Sequence, residues 1–538
     1  MVVRRSLVRL AAADRLSLSS RGFVARAAEV AVLIVASVPL VVYVWTAAHR
    51  LGYPYELDWL EGGAVEQVAR VLQGRALFTA PTLAYVSYTY PPLYTWVSAV
   101  VAELTGVGFL PLRLVSFVSS LAAFAVLWRW VVAVTADRVA ATVAAGLFAA
   151  TYGLSGAWFD VGRLDSLFVA LTLTALWLGR RADGVRGGIA VGAVAFLAFF
   201  TKQIALVALA PALLWLVLAR PRVGSAALAL LATTVAGSTL VLDALTGGWY
   251  RYYVVGELAG QPWQKRMWVG FWQIDLLRHL RPLAWLLCAA LISSAAAGWS
   301  RYWRRRSDRR WHPPTIAPPW ARALGIEYEL AAAVGLLLAA WFSRLHTGGY
   351  VNVLIPAYAG CALLVGVGFA RLRRLGWLTA LVAVVLVLAQ FAQLLQMPNQ
   401  ALPAKVQRRA GAELIARLRS LPGPVLVLSH PWYGTLAGKG SFAQADALTE
   451  VLRSEAPHGS VDLSRALRGS LDRYGIQAVV LDKPPPSWLA PQLAREFVLQ
   501  PMPITTLPLR PPGDLRGAPT YLYLRRSAAA TGVRSGRA

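Results

Sequence analysis

Three carboxylates fall within six positions, Glu56, Asp58 and Glu61 in ELDWLEGG (56–63), immediately after an apolar run long enough to cross a bilayer. Ionised carboxylates favour helix N-termini, where they accept free backbone N–H groups. The spacing predicts such a helix from Glu61 to about Gln73, closed by Gly74, with Val65, Val68, Ala69 and Leu72 on one face as for a helix lying flat on a membrane. One cap needs one carboxylate, whereas Asp58 and Glu61 both sit at its start. The second is therefore a candidate for proton transfer.

Other short polar stretches between apolar runs carry matching chemistry. WFDVGRLDS (158–166) holds Asp160, Arg163 and Asp165, and ionisable groups at a helix end near a bilayer are costly unless paired or used. An Arg163–Asp165 ion pair is one reading and a functional acid the other. FFTKQIAL (199–206) sets Lys202 alone between apolar runs, where its ammonium needs an anionic partner, either a lipid headgroup or a substrate phosphate. Residues 247–282 mix Trp and Tyr with Arg251, Lys265, Arg266, Arg278 and Arg281. Cations over an aromatic floor suit a lipid-linked phosphate, which needs charge neutralisation at one end and apolar packing at the other. SRLHTGGYVNVLIP (343–356) adds His346 and Asn352 beside Gly348 and Gly349, and YTYPPLY (88–94) adds Tyr90.

The elements that must position these groups are membrane helices. The 538 residues are 57% hydrophobic and 15% charged, with mean hydropathy +0.53, too little polar surface to wrap a soluble globule of this size. A net charge of +27 would suit nucleic acid, but the basic residues cluster between apolar runs, as topology signals do, so a nucleic-acid partner is not expected. Two cysteines, Cys288 and Cys361, lie in apolar runs and support neither a disulfide framework nor a thiolate metal site.

The first apolar run, 27–48, is longer than a signal peptide's apolar core and reads as a retained span. Further runs lie near 112–134, 139–156, 165–179, 188–201, 203–219, 224–245, 283–299, 323–343, 350–370 and 377–396. Arg138, Arg180–Arg181, Arg220–Arg222, RYWRRRSDRR (301–310) and RLRR (371–374) mark one face as cytoplasmic, which puts the polar turns described above on the other. The run 91–109 is too short before Glu103 to cross and is expected to lie at the outer surface, leaving about eleven spans.

The domain reading is a basic cytoplasmic N-terminus (1–26), a membrane domain (27–396, first outer loop 49–111), an outer α/β domain (397–525) and a disordered tail (526–538). Within the α/β domain, GPVLVLSH and IQAVVLDK read as buried strands, with helices near 441–455 and 462–474. The fold class is thus all-α and polytopic, with a small C-terminal α/β domain.

The arrangement resembles the polytopic GT-C glycosyltransferases, the broad class of the lipid A aminoarabinose transferases and protein mannosyltransferases. The features that carry the resemblance are ELDWLEGG followed by VARVLQG and YPPLY, the acidic second turn GRLD, the FTKQ turn and the outer C-terminal domain. It implies a plasma-membrane enzyme moving a sugar from a polyprenyl phosphate to an envelope glycan, glycolipid or protein at the outer face. Asp58 or Glu61 would be the base, Asp165 the second-loop acid, and Lys202 with Arg251 or Lys265 the phosphate contacts. Asp58 and Glu61 are separated by Trp59 and Leu60, where the commoner family form has adjacent acids, and this leaves open which is the base. Some relatives use Mg2+ or Mn2+ beside the carboxylates, a role Asp58 and Glu61 would fill here, although their spacing does not demand it. The chemistry is coherent in itself: a sugar phosphate leaves as an anion, so hydroxyl attack needs a base on one side and cations on the other. A transporter or flippase would instead bury its ions at mid-bilayer between repeated halves, and no such repeat is visible.

Overall fold

The computed structural model describes residues 2–306, 327–395, 402–456, 458–502 and 519–526. The disordered tail expected at 526–538, except Arg526, and residues 307–310 of the basic block lie outside this set. Helices occur at each of the eleven apolar runs: α1 (Val2–Leu51), α4 (Phe109–Thr135), α5 (Arg138–Ala150), α6 (Asp165–Arg181), α7 (Gly184–Thr201), α8 (Ala205–Ala219), α9 (Pro221–Leu245), α10 (Arg281–Arg306), α11 (Glu327–Arg344), α12 (Ile355–Leu375) and α13 (Trp377–Leu394). Two shorter helices, α2 (Glu61–Leu72) and α3 (Leu93–Thr105), lie in the first loop. The thirteen residues of α3 fall well below the roughly 20 that a span needs, in keeping with the surface position expected for 91–109.

Among the described residues, six helices are long and apolar enough to cross a membrane: Arg26–Leu51, Phe109–Thr135, Gly184–Thr201, Pro221–Leu245, Val351–Leu375 and Trp377–Leu394. A seventh candidate is a broken pair, Met267–Leu277 and Arg281–Ser293, bent by 92°. The 247–282 turn is therefore not all loop. Its second half is an apolar helix joined at a sharp angle to α10. The helix α5 stops after 13 residues, where the expected span continued to 156, because the chain turns through Gly156 (φ +73°) and Ala157 (φ +58°) toward Asp160. That early stop brings the acidic second turn into the protein. The most enclosed helix is α12, which packs against α4, α5, α10, α11 and α13.

Beyond the bundle, α14 (Lys405–Ser420) leads into a four-stranded sheet of β1 (Val425–Val427), β2 (Ala478–Leu481), β3 (Phe497–Gln500) and β4 (Tyr521–Arg525), in the order β1-β2-β4-β3. Strands β1 and β2 are parallel, with Leu426 opposite Val479, and the other two pairings are antiparallel. A parallel pair needs a long crossover. Here it carries α15 (Pro431–Leu436), α16 (Ala445–Arg453) and α17 (Gly459–Leu467), so the helices expected near 441–455 and 462–474 fall between the strands that require them.

The α/β unit shares its cores with the first loop. Tyr53, Tyr55, Leu57 and Trp59 pack with Leu414, Leu418, Val425 and Val427. Likewise Val65 and Val68 of α2 face Tyr94, Leu112 and Trp432. The apolar face of α2 is thus spent on α3, α4 and α15, not on a membrane surface as its periodicity alone suggests. Gly62 and Gly63 permit this packing: a Cβ at Gly62 would collide with the Glu56 carboxylate, and one at Gly63 with the Tyr88 hydroxyl.

Candidate active site

At one end of the bundle, five chain segments bring a chain of buried charges together. The loop after α1 supplies Asp58, whose side chain is fully buried. Its Oδ2 accepts from Arg163 Nη1 (3.1 Å) and from the Leu60 amide (3.1 Å), while Oδ1, also buried, has no partner among the described residues. Arg163, in the turn before α6, also reaches Asp165 Oδ2 through Nε (3.4 Å) and lies over the Trp158 ring. Asp165, the first residue of α6, accepts from Lys202 Nζ (2.7 Å) and from Asn352 Nδ2 (3.0 and 3.1 Å). Lys202 ends α7, Asn352 lies in the short turn Val351–Leu354 before α12, and the Lys202 ammonium faces Tyr90 from the first loop. The sequence of contacts is Asp58–Arg163–Asp165–Lys202.

Glu61 has a different environment. Its Oε1 accepts from Arg113 Nε (2.9 Å) and the Gly162 amide (2.5 Å), and its Oε2 from Arg113 Nη2 (2.7 Å) and the Leu57 amide (2.6 Å). Arg113 of α4 also donates to the Tyr53 and Tyr55 carbonyls (both 2.6 Å), so this pair fastens the first loop to the bundle. Burial would push the Glu61 pKa up, but the Arg113 guanidinium and the amides outweigh it and hold the carboxyl below its usual value. Burial also acts on Asp58 and there it prevails over Arg163, so the pKa is raised. Of the two candidate bases, Asp58 is the one whose pKa is shifted up and the one with an unspent oxygen.

A divalent ion shared by Asp58 and Glu61 does not fit this geometry, because both Glu61 oxygens are already saturated by donors. Among the described residues, no three His, Cys, Asp or Glu side chains converge as metal ligands.

Other sequence candidates separate into two groups. Tyr90, Lys202 and His346 line one cavity of about 300 Å³, together with Phe342, Glu257 and Glu450. Its walls include Leu206 and Val207 at the start of the apolar helix α8 and Val353 from the turn before α12. The His346 ring packs on Trp263, and burial lowers its pKa. Burial raises the pKa of both Glu257 and Glu450, and mutual repulsion adds to the shift at Glu257. By contrast, the expected phosphate contacts Arg251, Lys265 and Arg266 are exposed and do not line this cavity. Arg251 instead pairs with Asp243 at the end of α9 (3.5 Å). The cationic composition of 247–282 is real, but these three side chains are exposed and outside the cavity that holds Lys202.

Several residues that hold the site were not singled out in the sequence. Arg113 is a cation near the start of the apolar run of α4, and such a group must be paired, a signal readable in the sequence. Arg50 binds Asp160 (3.0 Å), whose pKa burial raises to about 6 despite Arg50. His430 contacts Glu56 through Nδ1 and Asp482 through Nε2 (2.9 Å), tying the first loop to the ends of β1 and β2. Gln444 caps α16 through the Asp446 amide (2.6 Å) and donates to the Trp59 carbonyl (3.1 Å). No local pattern marks the contacts of His430 and Gln444 with the first loop, because Glu56 and Trp59 lie hundreds of residues away.

Residues 89–242 match the model of the dolichyl-phosphate-mannose-protein mannosyltransferase family. The structure is similar to that of ArnT from Cupriavidus metallidurans bound to undecaprenyl phosphate, with TM-score 0.56 and 14% identity, over 92% of this chain and 98% of that one. The chain has the GT-C fold. A weaker likeness, at TM-score 0.48 and 13% identity, is to the oligosaccharyltransferase AglB from Archaeoglobus fulgidus in complex with an inhibitory peptide and a dolichol-phosphate, over 84% of this chain and 69% of that one. No curated protein sequence matches the chain. The matched stretch 89–242 contains Tyr90, Arg113, Arg163, Asp165 and Lys202, whereas Asp58 lies upstream of it.

Proposed function

We propose that the protein is a glycosyltransferase of the plasma membrane that moves a sugar from a polyprenyl-phosphate donor to a hydroxyl at the extracytoplasmic face. The observation that carries this reading is the free, buried Oδ1 of Asp58, joined through Arg163 and Asp165 to Lys202 in a cavity walled by membrane helices. A polyprenyl donor requires that combination, because its phosphate must meet a cation close to where its chain enters from the bilayer. The GT-C fold and the mannosyltransferase signature over 89–242 support the same class of reaction.

In this mechanism Lys202 has one N–H directed at Asp165 and two more with which to hold the donor phosphate. Asp165, gripped by Lys202, Asn352 and Arg163, acts as the anchor that fixes the ammonium. The acceptor oxygen attacks the anomeric carbon as its proton passes to Asp58 Oδ1. The new C–O bond forms while the bond from that carbon to the phosphate oxygen breaks, and its electron pair leaves with the lipid phosphate. A single displacement inverts the anomeric configuration. Arg163 keeps Asp58 in place without consuming Oδ1.

The test is transfer from a radiolabelled polyprenyl-phosphate sugar by the protein reconstituted in liposomes. Labelled product with wild type and none with Asp58→Asn, at unchanged folding, is expected. Full activity in Asp58→Asn would remove the proposal.

A further inference from the structure

A second cavity, of about 340 Å³, adjoins the Lys202 cavity along one face of α16. Asp446 lines the one and Glu450, a helical turn later, the other. The second cavity sits beyond the carboxyl ends of the parallel strands β1 and β2, where α/β units commonly bind ligands. Its volume is at the lower end of the roughly 300–1,000 Å³ usual for small-ligand sites. The residues that define its chemistry are Trp59, Gln444, Asp446, Asp482, Lys483 and Trp488.

That set selects among ligand classes. Two indole rings offer flat apolar faces, Trp59 from the first loop and the half-buried Trp488 from the segment after β2. The carboxylates of Asp446 and Asp482 accept hydrogen bonds from hydroxyl groups and the cations Lys483 and Arg453 donate to them, a charge-balanced set that suits a neutral ligand better than an anion. A neutral polyol with one apolar ring face matches both features. Trp59 is also the residue after Asp58, and Gln444 holds its carbonyl, so one short stretch of the first loop carries both the cavity wall and the proposed base.

We infer that this cavity is the acceptor subsite and that the acceptor is a saccharide, seated between Trp59 and Trp488 with its hydroxyls on Asp446 and Asp482. The inference rests on the glycosyltransferase reading and adds the acceptor class. The two cavities then deliver their substrates from different phases, the donor from the bilayer side and the sugar acceptor from the aqueous side, and neighbouring turns of α16 line both.

The test uses the full chain in detergent or nanodiscs. Saturation-transfer NMR is recorded with methyl α-mannopyranoside, methyl α-arabinofuranoside and methyl β-galactopyranoside, and with a Ser/Thr-containing hexapeptide as the non-carbohydrate arm. Binding of at least one glycoside, weakened about tenfold or more in Trp488→Ala and in Asp446→Asn but retained in Asp58→Asn, is expected. Lys483→Ala, on the exposed rim, serves as a variant with no core to disturb, and thermal unfolding separates lost binding from lost folding. Binding of no glycoside, equal binding by all three cavity variants, or loss of peptide binding alone would overturn the inference. Transfer from the polyprenyl donor with an unchanged acceptor KM in Trp488→Ala would reject the subsite and leave the reaction intact. Glycoside binding without any transfer would reject the reaction and leave a saccharide site.

Discussion

Replacing Asp58 by Asn removes the proton acceptor while preserving shape and the contact with Arg163, so transfer should fall by about 10²–10⁴-fold at nearly unchanged stability. Glu61→Gln tests the other carboxylate and should behave differently. It leaves Arg113 buried without its anion, a change that costs about 3–5 kcal/mol, and it should appear first in thermal unfolding and detergent sensitivity. Because burial raises the Asp58 pKa, the acidic limb of the pH–rate profile should lie above the ordinary aspartate value of about 3.9, with activity appearing as pH rises through it. A limb at or below that value would show that another group takes the proton. The sequence made these residues candidates but could not divide their roles. That division depends chiefly on Arg113 and Gly162, 52 and 101 positions from Glu61, which the acidic motif itself does not reveal.

Among elements, the breaks between helices carry the site. The end of α7 at Lys202, the start of α6 at Asp165 and the turn before α12 at Asn352 meet because each neighbouring helix stops at the same level of the bundle. Lys202→Met should raise the KM for the polyprenyl donor more than that for the acceptor, a split that initial-rate kinetics with each substrate varied in turn would reveal. Equal effects on both would place Lys202 outside the donor cavity. The helices themselves were legible, because apolar runs, basic turns and the Gly74 stop are local signals. Their packing was not: the apolar stripe of α2 has the same periodicity whether it meets lipid or, as here, Tyr94, Leu112 and Trp432. Composition also overstated the 247–282 turn, since the count of cations there says nothing about the direction in which Arg251 or Lys265 points.

For the molecule as a whole, the Glu56–His430–Asp482 contact decides how firmly the α/β unit grips the first loop. Burial alone would lower the His430 pKa, but Asp482 and Glu56 raise it well above the free value, and burial raises Glu56 to about 7. Both folded values exceed the unfolded ones, so both groups hold protons more tightly in the folded state and their stabilisation is lost as pH rises. For His430 it is fully present below about pH 6.5 and fades as pH rises through its folded value. The thermal midpoint should fall over that window in wild type and change much less in His430→Gln; identical pH dependence in the two would discount the contact. The α/β strands were readable from GPVLVLSH and IQAVVLDK, while their attachment to residues 53–59 was not, since no local period encodes a partner several hundred residues away. This attachment has a practical corollary for protein engineering. A chimera that transplants only the C-terminal unit of a relative would leave Glu56 facing a foreign surface and would unseat Asp58 two residues on. The exchangeable cassette is the C-terminal unit grafted together with the first loop.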